Sequence, residues 1–114
     1  MMNQSLYANG RWTSAHGPVL TTLNPATGKI VWQGHACDVD DVDKAVKAAK
    51  AVFFSWSETP FSQRRDCVER FARKLSEQRT EFATLISEEV GKPYWESLSE
   101  IDAMISKVAL TLRA

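Results

Sequence analysis

The chain has 114 residues, 44% of them apolar and 25% charged, and its 14 basic and 14 acidic side chains cancel. This is the composition of one soluble domain, able to bury ~65% of the surface its unfolded chain exposes. With no net field to draw it onto phosphate backbones or anionic lipid, neither nucleic acid nor a membrane surface is an expected partner.

The opening Met1-Met2-Asn3-Gln4-Ser5 lacks the basic and apolar regions of a secretory signal. No later stretch approaches the ~20 apolar residues of a membrane span, so the expected location is cytoplasmic. Residues 5 to 35 read as short hairpins. In Leu6-Tyr7-Ala8-Asn9-Gly10-Arg11-Trp12 the Asn-Gly pair supplies the positive φ angles of a two-residue hairpin turn. His16-Gly17-Pro18 breaks the chain, Val19 to Leu23 reads as a strand, and Asn24-Pro25-Ala26-Thr27-Gly28 is a turn before a strand from Lys29 to Gln33.

Beyond residue 36 the apolar period changes to that of helices, expected over about 38–55, 62–77, 79–90 and 93–114. In the first, Asp38 is the expected cap, with Asp40, Asp41 and Asp43 favoured by the helix dipole and Val39, Val42, Ala45, Val46, Ala49, Val52 and Phe53 facing inward. Ser62 is the expected cap of the second, which turns Cys67, Val68, Phe71, Ala72 and Leu75 inward and Arg64, Arg65, Glu69, Arg70 and Arg73 largely outward. The third, carrying Phe82, Leu85, Ile86 and Val90, ends at Gly91, with Lys92 beside its last carbonyls. Pro93 suits the first turn of the fourth, whose stripe is Trp95, Leu98, Ile101, Ile105, Val108 and Leu112. No Gly, Asn or Pro closes that stripe before the sequence runs out at Ala114, so the chain reads as a section of a longer α/β protein. Residues 1–36 would hold its β hairpins and 37–114 its helices.

Most of the chemically suggestive residues have ordinary explanations. The run Asp38 to Asp43 is no EF-hand loop, because the sixth and twelfth places hold Asp43 and Ala49 where Gly and a bidentate acid are needed. His16 and His35 have no acid or Ser at a triad spacing and read as surface or turn residues. Cys37 and Cys67 fit no CxxC or Cys/His spacing and read as reduced packing thiols. No glycine-rich phosphate cradle occurs. Trp12, Trp32, Trp56 and Trp95 are too dispersed to stack bases.

Five stretches in order carry a resemblance instead: Tyr7 to Trp12, Asn24 to Gly28, Asp41 to Ala49, Arg65 to Leu75, and Glu88-Glu89-Val90-Gly91-Lys92-Pro93. Together they resemble the start of the aldehyde dehydrogenases, across essentially the whole chain. Within that family, Val31 to Gly34, Gly91 to Glu96 and Ala103 to Lys107 look most like the members that act on succinylglutamate semialdehyde in arginine breakdown. Other semialdehyde or betaine-aldehyde members, and a non-enzymatic helical interaction module, are the alternatives.

The resemblance implies an oxidoreductase in which a Cys thiolate attacks an aldehyde, hydride passes to NAD or NADP, and a Glu-activated water releases the acid. Neither Cys37 nor Cys67 stands in the nucleophile's context, so no catalytic or cofactor-binding residue is assigned and this section alone is expected to be inactive and to bind no NAD. A homo-oligomer is implied. Two sets of residues are carried over by position. Thr22, Leu23 and Glu89 match ligands of a structural monovalent cation. Glu100 and Met104 match the substrate tunnel, with Lys107 one turn on and able to attract a dianionic aldehyde.

Overall fold

The computed structural model describes residues 3–114; Met1 and Met2 of the opening segment lie outside the described residues. Four strands precede four helices: β1 (Leu6–Ala8), β2 (Arg11–Thr13), β3 (Val19–Leu23), β4 (Ile30–His35), α1 (Val39–Glu58), α2 (Phe61–Glu77), α3 (Arg79–Val90) and α4 (Tyr94–Arg113). The expected α/β order is the one found. By packing, the chain forms two compact units, one running to Leu23 and resuming over Gly28–Glu58, the other made of Asn24–Thr27 and Thr59–Ala114. The change from strands to helices falls near residue 36, whereas α1 packs with the hairpins. No helix among the described residues is long and apolar enough to cross a membrane.

In the first unit, β1 and β2 pair antiparallel, with Tyr7 opposite Trp12 and their ring centroids 5.3 Å apart. Asn9 (φ 51°) and Gly10 (φ 77°) make the tight turn that Asn-Gly demands. β3 and β4 form a second antiparallel pair whose register shifts between Thr22 and Leu23. Asn3 extends it, bridging to Gly34 in parallel sense. Side chains also fasten this unit: the Ser5 hydroxyl donates to the His35 carbonyl at 2.5 Å, and His35 Nδ1 donates to the Gly17 carbonyl at 2.8 Å.

The start of α1 differs from expectation. Asp38 does cap it, its Oδ1 accepting from the Asp41 amide at 2.8 Å, while Asp41 Oδ2 accepts from the Asp38 amide at 3.2 Å. This is a reciprocal box that satisfies two otherwise orphaned donors. Asp41, however, is no solvated dipole acid. It is buried, and accepts from both the His16 amide (2.8 Å) and His16 Nδ1 (2.7 Å). His16 is therefore a partnered residue pinning the β2–β3 loop to α1, 25 positions away, a distance no local spacing rule can see. These hydrogen bonds, the His16 side chain's first, hold the Asp41 carboxyl down to about 2 against the opposing effect of burial.

In the second unit, α4 lies against both α2 and α3. Its core is small: Leu75, Ala83 and Ile101 are buried with Ser97, whose hydroxyl bonds that of Ser87 at 2.9 Å. Helix α2 starts one residue ahead of expectation, with Pro60 rather than Ser62 at its N-cap and no side-chain cap bond. The Pro60 carbonyl already accepts from Gln63 and Arg64, and the ring's fixed φ of −50° sets the chain on course. Pro93 likewise stands at the N-cap of α4. Gly91 closes α3 in the left-handed region (φ 76°), its amide donating to the Ser87 carbonyl at 2.9 Å. A Cβ there would lie 2.6 Å from Pro25 Cγ, because the Asn24–Thr27 turn of the same unit seats against this helix end. Asn24 Oδ1 shapes that turn by accepting from the amides of Ala26 (2.9 Å) and Thr27 (3.2 Å).

Candidate functional site

Helix α4 brings the carried-over residues onto one face, because positions 100, 104 and 107 are separated by four and three residues. Beside that face is a groove of about 460 Å³, walled by Val68 and Phe71 of α2 and by Ala103, Met104, Lys107, Val108 and Thr111 of α4. Met104 and Lys107 thus share one concavity. Phe71, expected inward, remains 57% exposed: Ala103, Met104, Lys107, Val108 and Thr111 of α4 border the space beside it without closing it.

Glu100 does not line the groove. Its carboxylate is taken by Lys92, which also reaches Glu96 at 3.2 Å. The hydrogen bond to Glu100 is the first cause that raises the Lys92 ammonium above its ordinary value; partial burial opposes it and the Glu96 contact adds to it. The expectation that Lys92 sits by the carbonyls of α3 is therefore corrected. Two carboxylates at positions four and eight residues on offer a stronger, charge-assisted partner. The spacing Lys92, Glu96, Glu100 was the signal that could have disclosed it.

Lys107 differs. Its helical neighbours at three and four residues are Ala103, Met104, Leu110 and Thr111, none of them acidic. Among the described residues no ion pair involves it. On the remaining surface of α4, Asp102 receives a two-pronged bond from Arg79 (2.6 and 2.7 Å), which lowers the Asp102 carboxyl and raises the arginine. Arg64, expected outward, is half-buried, and its Nε has no hydrogen-bond partner among the described residues.

The other carried-over set falls on both units: Thr22 and Leu23 end β3 in the first, where the register shifts, and Glu89 stands in the last turn of α3 in the second. Of the thiols, Cys37 is exposed, and Cys67 is half-buried and accepts from Arg70 Nη2 at 3.0 Å. A further cluster, His16, Asp38 and Asp41, gathers one imidazole nitrogen and two carboxylate oxygens within 4.8 Å of one another. Its atoms are already engaged in the α1 cap and the His16 contacts, which account for the arrangement without an ion.

Comparison with known proteins places this architecture. The profile of the aldehyde dehydrogenase family matches residues 12–114. The chain belongs to that family. An N-succinylglutamate 5-semialdehyde dehydrogenase of Serratia proteamaculans is 42% identical over 114 residues, all of this chain and 23% of the relative. Among solved structures, an aldehyde dehydrogenase from Bacillus cereus in complex with NAD+ superposes with a TM-score of 0.84 at 33% identity, covering 90% of this chain and 22% of that one. An NADP-dependent glyceraldehyde-3-phosphate dehydrogenase from Bacillus halodurans gives 0.86 at 25% identity, over 93% and 22%. The chain thus spans less than a quarter of the length of the relatives it matches.

Proposed function

We propose that this chain is the amino-terminal part of a cytoplasmic, homo-oligomeric dehydrogenase that oxidises N-succinyl-L-glutamate 5-semialdehyde to N-succinyl-L-glutamate in arginine catabolism, with NAD as hydride acceptor. The observation carrying this reading is the agreement in name of relatives 38–43% identical over 96% or more of the chain. The charge pattern on α4 fits a dianionic aldehyde: Glu100 is ion-paired with Lys92, and Lys107 is left to attract a carboxylate beside the apolar wall at Met104. In this reading Glu100, Met104 and Lys107 border the substrate path. The monovalent-cation role of Thr22, Leu23 and Glu89 rests on the family resemblance alone.

NAD does not fit the residues present. A pyrophosphate needs backbone amides converging on an open glycine-rich turn. Of the positive-φ glycines, Gly10 and Gly28 stand in separate turns, and Gly91 is closed over by Pro25. In this reading the described residues offer no pyrophosphate cradle, and their role is to brace the domain that holds the cofactor. The test is NAD reduction by the intact enzyme with N-succinylglutamate semialdehyde, betaine aldehyde and a neutral aliphatic aldehyde. The reading expects the highest kcat/KM for the first. A preference for betaine aldehyde would overturn it.

A further inference from the structure

The groove's electrostatics depend on a residue outside its walls. Along one face of α4 run Glu100, then Ala103 and Met104, then Lys107, so an acid and a base lie two turns, about 10 Å, apart along one surface. Only the base is free of a partner among the described residues. The Lys92 side chain, 21% exposed, lies between Glu96 and Glu100; the cluster keeps one net negative charge, but the ion pair draws the Glu100 carboxylate to Lys92 and weakens the charge that would otherwise oppose Lys107. Lys92 is well placed for this: Gly91 turns the chain out of α3 and Pro93 starts α4, leaving Lys92 in the short connection at the foot of the helix whose carboxylates it gathers.

We infer that Lys92 is a specificity-determining positioning residue, which holds Glu100 in an ion pair so that the α2–α4 groove presents net positive charge at Lys107 to an aldehyde bearing carboxylates. The inference rests on the proposed reading that this groove borders the substrate path. The ligand class is an amphipathic anion, with methylene groups against Val68, Phe71, Met104 and Val108 and a carboxylate at the Lys107 ammonium. A freed Glu100 carboxylate about 10 Å from that site would repel such a substrate by threefold to tenfold in binding at surface-like dielectric, and less in high salt. A neutral aldehyde would not sense it.

The test uses the intact enzyme with Lys92→Met, Lys92→Arg, Glu100→Gln, Lys92→Met/Glu100→Gln and Lys107→Met. KM and kcat are measured for N-succinylglutamate semialdehyde and for hexanal at low and high salt. Lys92→Met should raise KM for the dianion threefold to tenfold, with kcat and the hexanal KM within twofold of the parent. Adding Glu100→Gln should restore it, as a purely structural role of Lys92 would not, and Lys92→Arg should behave as the parent. If Lys92→Met fails to fold, the comparison of Lys92→Arg with the double variant decides: parental KM in both supports the inference, and a raised dianion KM in the double variant overturns it. Equal effects on both aldehydes, or no rescue by Glu100→Gln, also overturn it. If Lys107→Met alters the ratio of the two KM values and Lys92→Met does not, the inference fails while the substrate-path reading stands; if neither alters it, both fail.

Discussion

Ile101→Ala is the sharpest probe of how the helical unit is held together. Ile101 is fully buried on the side of α4 that meets α2 and α3, and its buried apolar companions there are Leu75 and Ala83. The change removes three carbons, worth ~2.4 kcal/mol of transfer free energy at ~0.8 kcal/mol each. The cavity left behind brings the expected cost to ~3–4 kcal/mol, inside the ~2–5 kcal/mol seen for such truncations. A unit made of Asn24–Thr27 and Thr59–Ala114 has about 60 residues and a total stability of ~3–9 kcal/mol. One substitution should therefore remove about a third of it or more. Urea unfolding of the 114-residue chain followed by far-UV circular dichroism reads this as a lower midpoint for the helical signal. Leu110→Ala, on the same helix but 53% exposed, is the control and should cost ~0.5 kcal/mol or less. If Ile101→Ala costs under ~1 kcal/mol, or no more than Leu110→Ala, the α2–α3–α4 packing described here is wrong.

Gly91→Ala forces a Cβ into the left-handed region and against Pro25 Cγ, so it should lower the melting temperature more than Gly10→Ala, which meets the ~1–2 kcal/mol backbone penalty in open space; equal effects would deny the seating of the Asn24–Thr27 turn. The Asp41 carboxyl is held at about 2 against an ordinary 3.8, so its stabilisation is complete above pH ~4 and is lost as pH falls through ~2. An acid titration of the first unit, followed by hydrogen exchange of α1, should show this loss in the parent, and Asp41→Asn should already be weakened at neutral pH with a flatter acid limb. The 114-residue chain exposes Val39, Val42, Val46, Phe53, Phe54, Trp95 and Leu110, and at micromolar concentration it should self-associate or bind an apolar dye; light scattering giving a monomer that leaves the dye dark would contradict this.

Local chemistry was the legible part of the fold. Asn9-Gly10 admits one kind of turn, Gly91 one kind of helix end, and Asp38 one kind of helix start, and each stands where its residue type requires. The stripe on α4 was legible too: Leu98, Ile105, Val108 and Leu112 are half-buried and Ile101 is fully so, although Trp95 at its head is 69% exposed. Contacts between residues distant in sequence could not be read. The His16–Asp41 pair spans 25 positions and the Arg79–Asp102 pair 23, and nothing in either neighbourhood marks its partner. For the candidate site, the shared face of Glu100, Met104 and Lys107 follows from helical period alone, whereas the groove beside it depends on how α2 and α4 pack, which the period of neither helix states.

Periodicity states which face of a helix is apolar; it cannot state what covers that face. On α1 the expected inward residues Val39, Val42, Val46, Val52 and Phe53 are all half or more exposed, yet the helix itself and its Asp38 cap form as expected. The pattern was read correctly and its burial was not, because burial belongs to a pair of surfaces and only one of each pair is on α1. The same distinction applies to charge. Glu100 has Lys92 two turns before it and is ion-paired, whereas Lys107 has no charged residue within one turn and among the described residues no ion pair involves it. The charge a site presents thus depends on which neighbouring charges find partners: Lys107 is the one charged residue lining the groove, and the nearest acid on its face, Glu100, is drawn away into the pair with Lys92.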